Sequence, residues 1–98
     1  MTHIQRRRAP ARISARQRAR LLEYARARTA FLSRPENRWC RVFPNRRATD
    51  IHHTRGRAGR LLLDERFWVP VSRAGHRWIH DNPQAARQAG LLGPWLMK

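Results

Sequence analysis

The chain has 98 residues and a formal charge of +16, with 22 basic residues, all but Lys98 arginine, against six acidic ones. That length builds one small domain with a modest core, and the excess of planar guanidinium forks makes nucleic acid the natural partner; coding bias explains arginine over lysine, not the scarcity of acids. The single Cys40 excludes an intramolecular disulfide framework and a four-thiolate zinc ribbon, and no apolar run approaches the roughly 20 residues of a membrane span, so no membrane partner is expected.

Residues 1–12, with Arg6, Arg7, Arg8 and Pro10, carry too little apolar content to order themselves and read as a flexible basic arm. No signal-peptide apolar segment follows, so a cytoplasmic setting is the default, with a mitochondrial presequence over residues 1–20 as the alternative. An N-terminal helical unit is expected over 13–34. Ser14 and Gln17 have capping-box spacing, and residues 15–33 contain neither Gly nor Pro. Leu21, Tyr24, Arg28 and Phe31 or Leu32 form its packing stripe, with Leu22 and Ala25 alongside, while Arg16, Arg18, Arg20 and Arg26 face outward.

Pro35, Pro44 and Asn45-Arg46-Arg47 break the helical pattern, so residues 34–48 should form a loop or loose hairpin arm pinned by Trp39 and Phe43. Thr49 to Thr54 reads as a strand with Ile51 inward, followed by a turn punctuated by Gly56 and Gly59. Leu61-Leu62-Leu63 is a short apolar run. Phe67 to Val71 reads as a second strand, which Pro70 confines to an edge or strand end. Ser72 is the expected N-cap of a helix from about Arg73 to Asp81. Asn82-Pro83 should start another helix, with Gly90 as its stop. Leu91, Leu92, Trp95 and Leu96 form an apolar tail over the core, whose aromatic candidates are Trp39, Phe43, Phe67, Trp68, Trp78 and Trp95.

Four of the five histidines lie within 29 residues: the adjacent pair His52-His53, then His76 and His80 one helical turn apart. An i,i+4 pair aims two ring nitrogens at one point, and an adjacent pair can give one imidazole to a metal and leave its neighbour for proton transfer. A lone helical histidine is more often structural, but chance poorly explains both pairs together.

The segment from Cys40 to Gly90 resembles the HNH endonuclease family, above all its small phage-type members. Their pattern runs Cys-x-x-Cys, a His-His strand, then Cys-x-x-Cys-His entering a helix. Here the corresponding residues are Cys40-Arg-Val-Phe43, Asp50-Ile-His52-His53, and Ser72-Arg-Ala-Gly75-His76-Arg-Trp-Ile-His80. The histidines fit; three of the four ribbon cysteines are replaced by Phe43, Ser72 and Gly75, so no structural zinc ribbon is expected. Phe67 stands where the family has an asparagine that ties the two arms of the motif or contributes a ligand.

The resemblance implies an α+β fold, a small ββα-metal motif over 35–98 with an N-terminal helix and a short C-terminal one. It also implies that His52, His76 and His80 ligate one divalent metal ion and that His53 is the general base of phosphodiester hydrolysis. Three imidazoles favour Zn²⁺ or Ni²⁺, while Mn²⁺ or Mg²⁺ could support turnover if phosphate oxygens complete the shell. Asp50 is expected either to orient the His52 ring or to neutralise an arginine. Arg55, Arg57, Arg60, Arg73 and Arg77 are the expected nucleic-acid contacts, on DNA or alternatively RNA, gripping phosphates with little sequence preference. Two other functions remain open: an inactive nucleic-acid-binding derivative of the nuclease fold, and a small basic protein that binds an acidic protein partner.

Overall fold

The computed structural model describes residues 13–93. The basic arm, Trp95 and Leu96 therefore lie outside the described residues. Helix α1 (Ala15–Ser33) begins with the expected capping box, in which the Ser14 hydroxyl accepts the Gln17 N–H at 3.0 Å. This satisfies donors that the first helical turn would otherwise leave free. Its packing stripe is shorter than expected. Phe31 is buried and Tyr24, Ala27 and Leu32 pack beside it, but Leu21 and Leu22 remain 48% and 52% exposed. The sheet beneath the helix is only two strands wide, so it offers nothing to the helix's N-terminal half.

The strands β1 (Asp50–His53) and β2 (Trp68–Val71) form an antiparallel pair with Asp50 opposite Val71, Ile51 opposite Pro70, His52 opposite Val69 and His53 opposite Trp68. Each is shorter than its sequence pattern, because Thr49 and Thr54 bond outside the ladder, to the carbonyls of Val71 and Phe67. Pro70 fits because its missing N–H falls on the side away from β1. There its carbonyl accepts the Arg41 N–H at 2.9 Å.

Successive strand residues face opposite sides of a sheet. One side carries His52, Val69 and Val71 towards α2 (Arg73–Asp81), where Val71 and Ile79 are fully buried with Cys40, Ala86 and Leu91. The other carries Ile51, His53 and Trp68 towards α1, against Phe31 and Tyr24. A two-stranded sheet alone is marginal in water. Here both its faces are covered by helix, and the α+β arrangement supplies two small cores.

Ser72 caps α2 as expected, accepting the Gly75 N–H at 3.0 Å. Asn82 departs from its expected role. Its side chain turns back to donate to Trp78 O at 2.9 Å, closing α2 rather than capping α3 (Pro83–Gln88). The apolar run Leu61 to Leu63 lies in a 3₁₀ turn. Trp39 is 49% exposed and only bridges Arg47, so the 34–48 arm is pinned by Phe43 and Val42 against the Cys40 core instead. None of the helices among the described residues is long and apolar enough to cross a membrane.

Candidate metal centre

Strand alternation separates the two adjacent histidines. His52 faces α2, where His76 and His80 project from successive turns, and one nitrogen from each of the three rings lies within 4.8 Å of the others. Ring centroids are 5.2 Å apart for His52 and His76, 6.1 Å for His52 and His80, and 5.1 Å for His76 and His80. Metal–imidazole bonds of about 2.0–2.1 Å in a tetrahedral shell put nitrogens roughly 3.3 Å apart. His52 is buried, His76 half-buried and His80 exposed, so a cation held here would keep an open side.

Two of the rings have partners of the kind that support ligating histidines. His52 Nε2 donates to the Leu91 carbonyl at 2.7 Å. His76 Nδ1 lies 3.5 Å from Asp50 Oδ2. Asp50 therefore serves His76 and not His52, the ring it was expected to orient. It is on the same face as His52, but the helix brings His76 nearer. Arg73 Nε lies 4.0 Å from the same carboxylate oxygen, so the charge-neutralising role also has its geometry.

Burial lowers the pKa of His52 most. Neighbouring imidazoles at His76, His80 and His53 lower it further, against the opposing effect of the Leu91 hydrogen bond. A neutral imidazole is the form that binds metal. The donor set, three imidazoles with two of them already oriented, fits a late first-row divalent cation.

His53 stands on the other side of the sheet, 8% exposed. Its ring centroid lies 5.7 Å from Tyr24 and 5.6 Å from Trp68. Burial lowers its pKa, and the positive charge of Arg57 adds to this, while a backbone hydrogen bond at Leu62 opposes both. Its Nε2 is buried with no hydrogen-bond partner among the described residues. It is thus outside the three-ring cluster, neutral, and retains an unshared acceptor.

The five expected nucleic-acid contacts lie in the turn after β1, in the 3₁₀ turn that follows it and on α2. Arg55 stacks over Phe67 at 4.8 Å and Arg57 over Tyr24 at 5.3 Å. Arg60 is exposed on the 3₁₀ turn and Arg77 on α2, while Arg73 approaches Asp50. Sequence reasoning missed the supporting carbonyl of Leu91 and the aromatic neighbour Tyr24. A backbone carbonyl has no side-chain signature, and Tyr24 was legible only as a core residue.

Of the four positions compared with ribbon cysteines, three surround the sulfur of the fourth, Cys40. Cys40 Sγ accepts from Phe43 N at 3.2 Å and from Ser72 Oγ at 3.4 Å, and a Cβ on Gly75 would stand 2.6 Å from it. Phe43 packs against this core. The Phe67 carbonyl accepts both Thr54 N–H at 2.8 Å and Thr54 Oγ1 at 3.2 Å, joining the segments at the ends of the two strands.

Comparison of the chain with protein families, with curated proteins and with solved structures gives no match. The likeness to HNH endonucleases rests on the sequence residues quoted above alone.

Proposed function

We propose that the chain is a metal-dependent endonuclease of the HNH kind, hydrolysing DNA phosphodiester bonds with little sequence specificity in a cytoplasmic setting. The observation that carries this reading is the meeting of His52, His76 and His80 within 4.8 Å, with His53, next in sequence, holding an unshared ring nitrogen on the opposite face of the sheet. The order β1, β2, α2 around that cluster agrees with a ββα-metal motif. In this reading His52, His76 and His80 hold the cation, while Asp50 and the Leu91 carbonyl hold His76 and His52 in register. Zn²⁺ or Ni²⁺ suits three imidazoles, with Mn²⁺ or Mg²⁺ as candidates for turnover. A bound divalent cation supplies positive charge against the scissile phosphate and the departing 3′ oxygen.

His53 takes the proton from the attacking water through Nε2. Its lowered pKa keeps it neutral and ready to accept at physiological pH. The arginines around the turn and on α2 position the phosphate backbone, which they grip without reading bases.

The burial of His53 Nε2 favours a second reading, an inactive nucleic-acid-binding protein of the same fold. A buried nitrogen reaches water only when its surroundings open. Plasmid relaxation with Mg²⁺, Mn²⁺, Ni²⁺ or Zn²⁺ separates the two. The nuclease nicks DNA in a metal-dependent way, and His53→Ala abolishes nicking while still binding metal. DNA binding without nicking under any of these ions would establish the second reading, and equal nicking by both proteins would remove His53 from the mechanism.

A further inference from the structure

Outside the three-histidine cluster, none of whose residues line it, lies a cavity of about 630 Å³ whose wall includes Arg41, Arg55, Arg66 and Arg87. They come from four separate parts of the chain: the arm before β1, the turn after it, the 3₁₀ turn before β2, and α3. Phe67, Val69 and Leu92 supply its apolar wall. Two of the guanidinium groups are set against one ring, Arg55 at 4.8 Å and Arg66 at 5.2 Å from the centroid of Phe67. The stem of Arg55 is confined as well, since a Cβ on Gly93 would stand 3.0 Å from its Cγ.

Of these four arginines only Arg66 has a carboxylate partner among the described residues, in the two bonds it donates to Asp64 at 2.9 and 2.7 Å. Arg41, Arg55 and Arg87 bring positive charge to one concave surface without an acid to offset it. Such convergence is unfavourable unless an anion enters, and guanidinium forks fit phosphate oxygens best. The volume is in the range of small-molecule sites and leaves room for more than a phosphate. The apolar wall would cover the remainder of a ligand that is partly planar and uncharged.

We propose that this cavity binds a nucleoside monophosphate group, with its phosphate on Arg41, Arg55 and Arg87 and its base against Phe67, Val69 and Leu92. A phosphomonoester carries close to two negative charges at neutral pH, which distinguishes it from the singly charged diesters within a strand. The group could be a free nucleotide or the phosphorylated end of a strand. None of the metal-centre histidines lines the cavity, so the proposal stands apart from the nuclease reading.

Isothermal titration calorimetry of the full chain in EDTA tests it, with 5′-dAMP, deoxyadenosine and inorganic phosphate as probes. Saturable binding of dAMP, at least about tenfold tighter than either fragment, is expected. Arg41→Ala with Arg87→Ala should weaken dAMP by at least about tenfold. Arg16→Ala with Arg18→Ala removes the same charge from α1 and should leave it within about twofold. Equal losses in the two double variants would reduce the effect to net charge and overturn the site, as would phosphate binding as tightly as dAMP. A 5′-phosphorylated tetranucleotide that binds more tightly than dAMP identifies a strand end, and equal binding identifies the free nucleotide. An unphosphorylated tetranucleotide that binds as well as the phosphorylated one overturns the monoester assignment.

Discussion

His52 donates from Nε2 to the carbonyl oxygen of Leu91 at 2.7 Å. A carbonyl can only accept, so this ring carries its proton on Nε2 and keeps its lone pair on Nδ1. In protein loaded with Zn²⁺, long-range ¹H–¹⁵N spectra of the imidazoles should therefore show His52 ligated through Nδ1 with Nε2 protonated. Ligation through Nε2 would mean that the Leu91 bond breaks on metal binding.

Asp50 should matter to metal affinity through His76. Its carboxylate lies 3.5 Å from His76 Nδ1, and loss of such a partner costs roughly 10- to 100-fold in affinity. Asp50→Asn keeps the size of the side chain and should weaken Zn²⁺ binding by about that factor in competition with a chromophoric chelator. Unchanged affinity would assign Asp50 to Arg73 alone.

Stability should fall in mild acid. His52 and His53 both have folded pKa values below the ordinary 6.5, with burial the largest cause in each. Below 6.5 the unfolded chain takes up protons at these rings while the folded chain resists them. Their contribution is thus complete above that value and is lost as pH falls through it towards the lowered folded values. Calorimetric melting temperatures measured from about pH 7.5 down to about pH 5 should decline, and less steeply in His53→Gln.

Gly75→Ala should destabilise the fold even though alanine favours helix. The new Cβ would stand 2.6 Å from the buried Cys40 Sγ and 3.2 Å from Val42 Cβ, and overpacking of this kind costs about 1–3 kcal/mol. In a Cys40→Ala background the same change should cost clearly less. Urea denaturation of the four proteins gives the coupling, and additive effects would show that the sulfur is not the obstacle.

Two tryptophans should behave oppositely. Trp68 is 5% exposed between Tyr24 and Phe31, whereas Trp39 is 49% exposed. Trp68→Ala should cost about 3–5 kcal/mol, and Trp39→Ser should fall within about 0.5 kcal/mol of the parent. Denaturation midpoints of similar size for both would contradict this assignment of the core.

What the sequence revealed follows from how local each signal is. The bounds of α1 and α2 were legible because Ser14, Gln17 and Ser72 act on neighbours three residues away. The meeting of His52 with His76 and His80 was legible from spacing and resemblance together. The rest depended on distant partners. Trp39 and Leu22 look like core residues until the two-stranded sheet proves too narrow to cover them, and Asp50 shares a face with His52 but finds a closer ring across the helix. Asn82 sits where one helix stops and another starts, and it serves the first because Trp78 O is within its reach. Phe67 links the segments around the two strands through its carbonyl, which accepts from Thr54, and a backbone group has no side-chain signature.

The hydrogen bond from His52 to Leu91 spans 39 residues, which sets a schedule for maturation during synthesis. A nascent chain halted before Leu91 already contains all three cluster histidines but lacks the acceptor that selects the tautomer of the first. Until that carbonyl is in place, the His52 ring is free to adopt either protonation pattern. The tautomer of a strand residue is thus set by a backbone group that lies beyond α3.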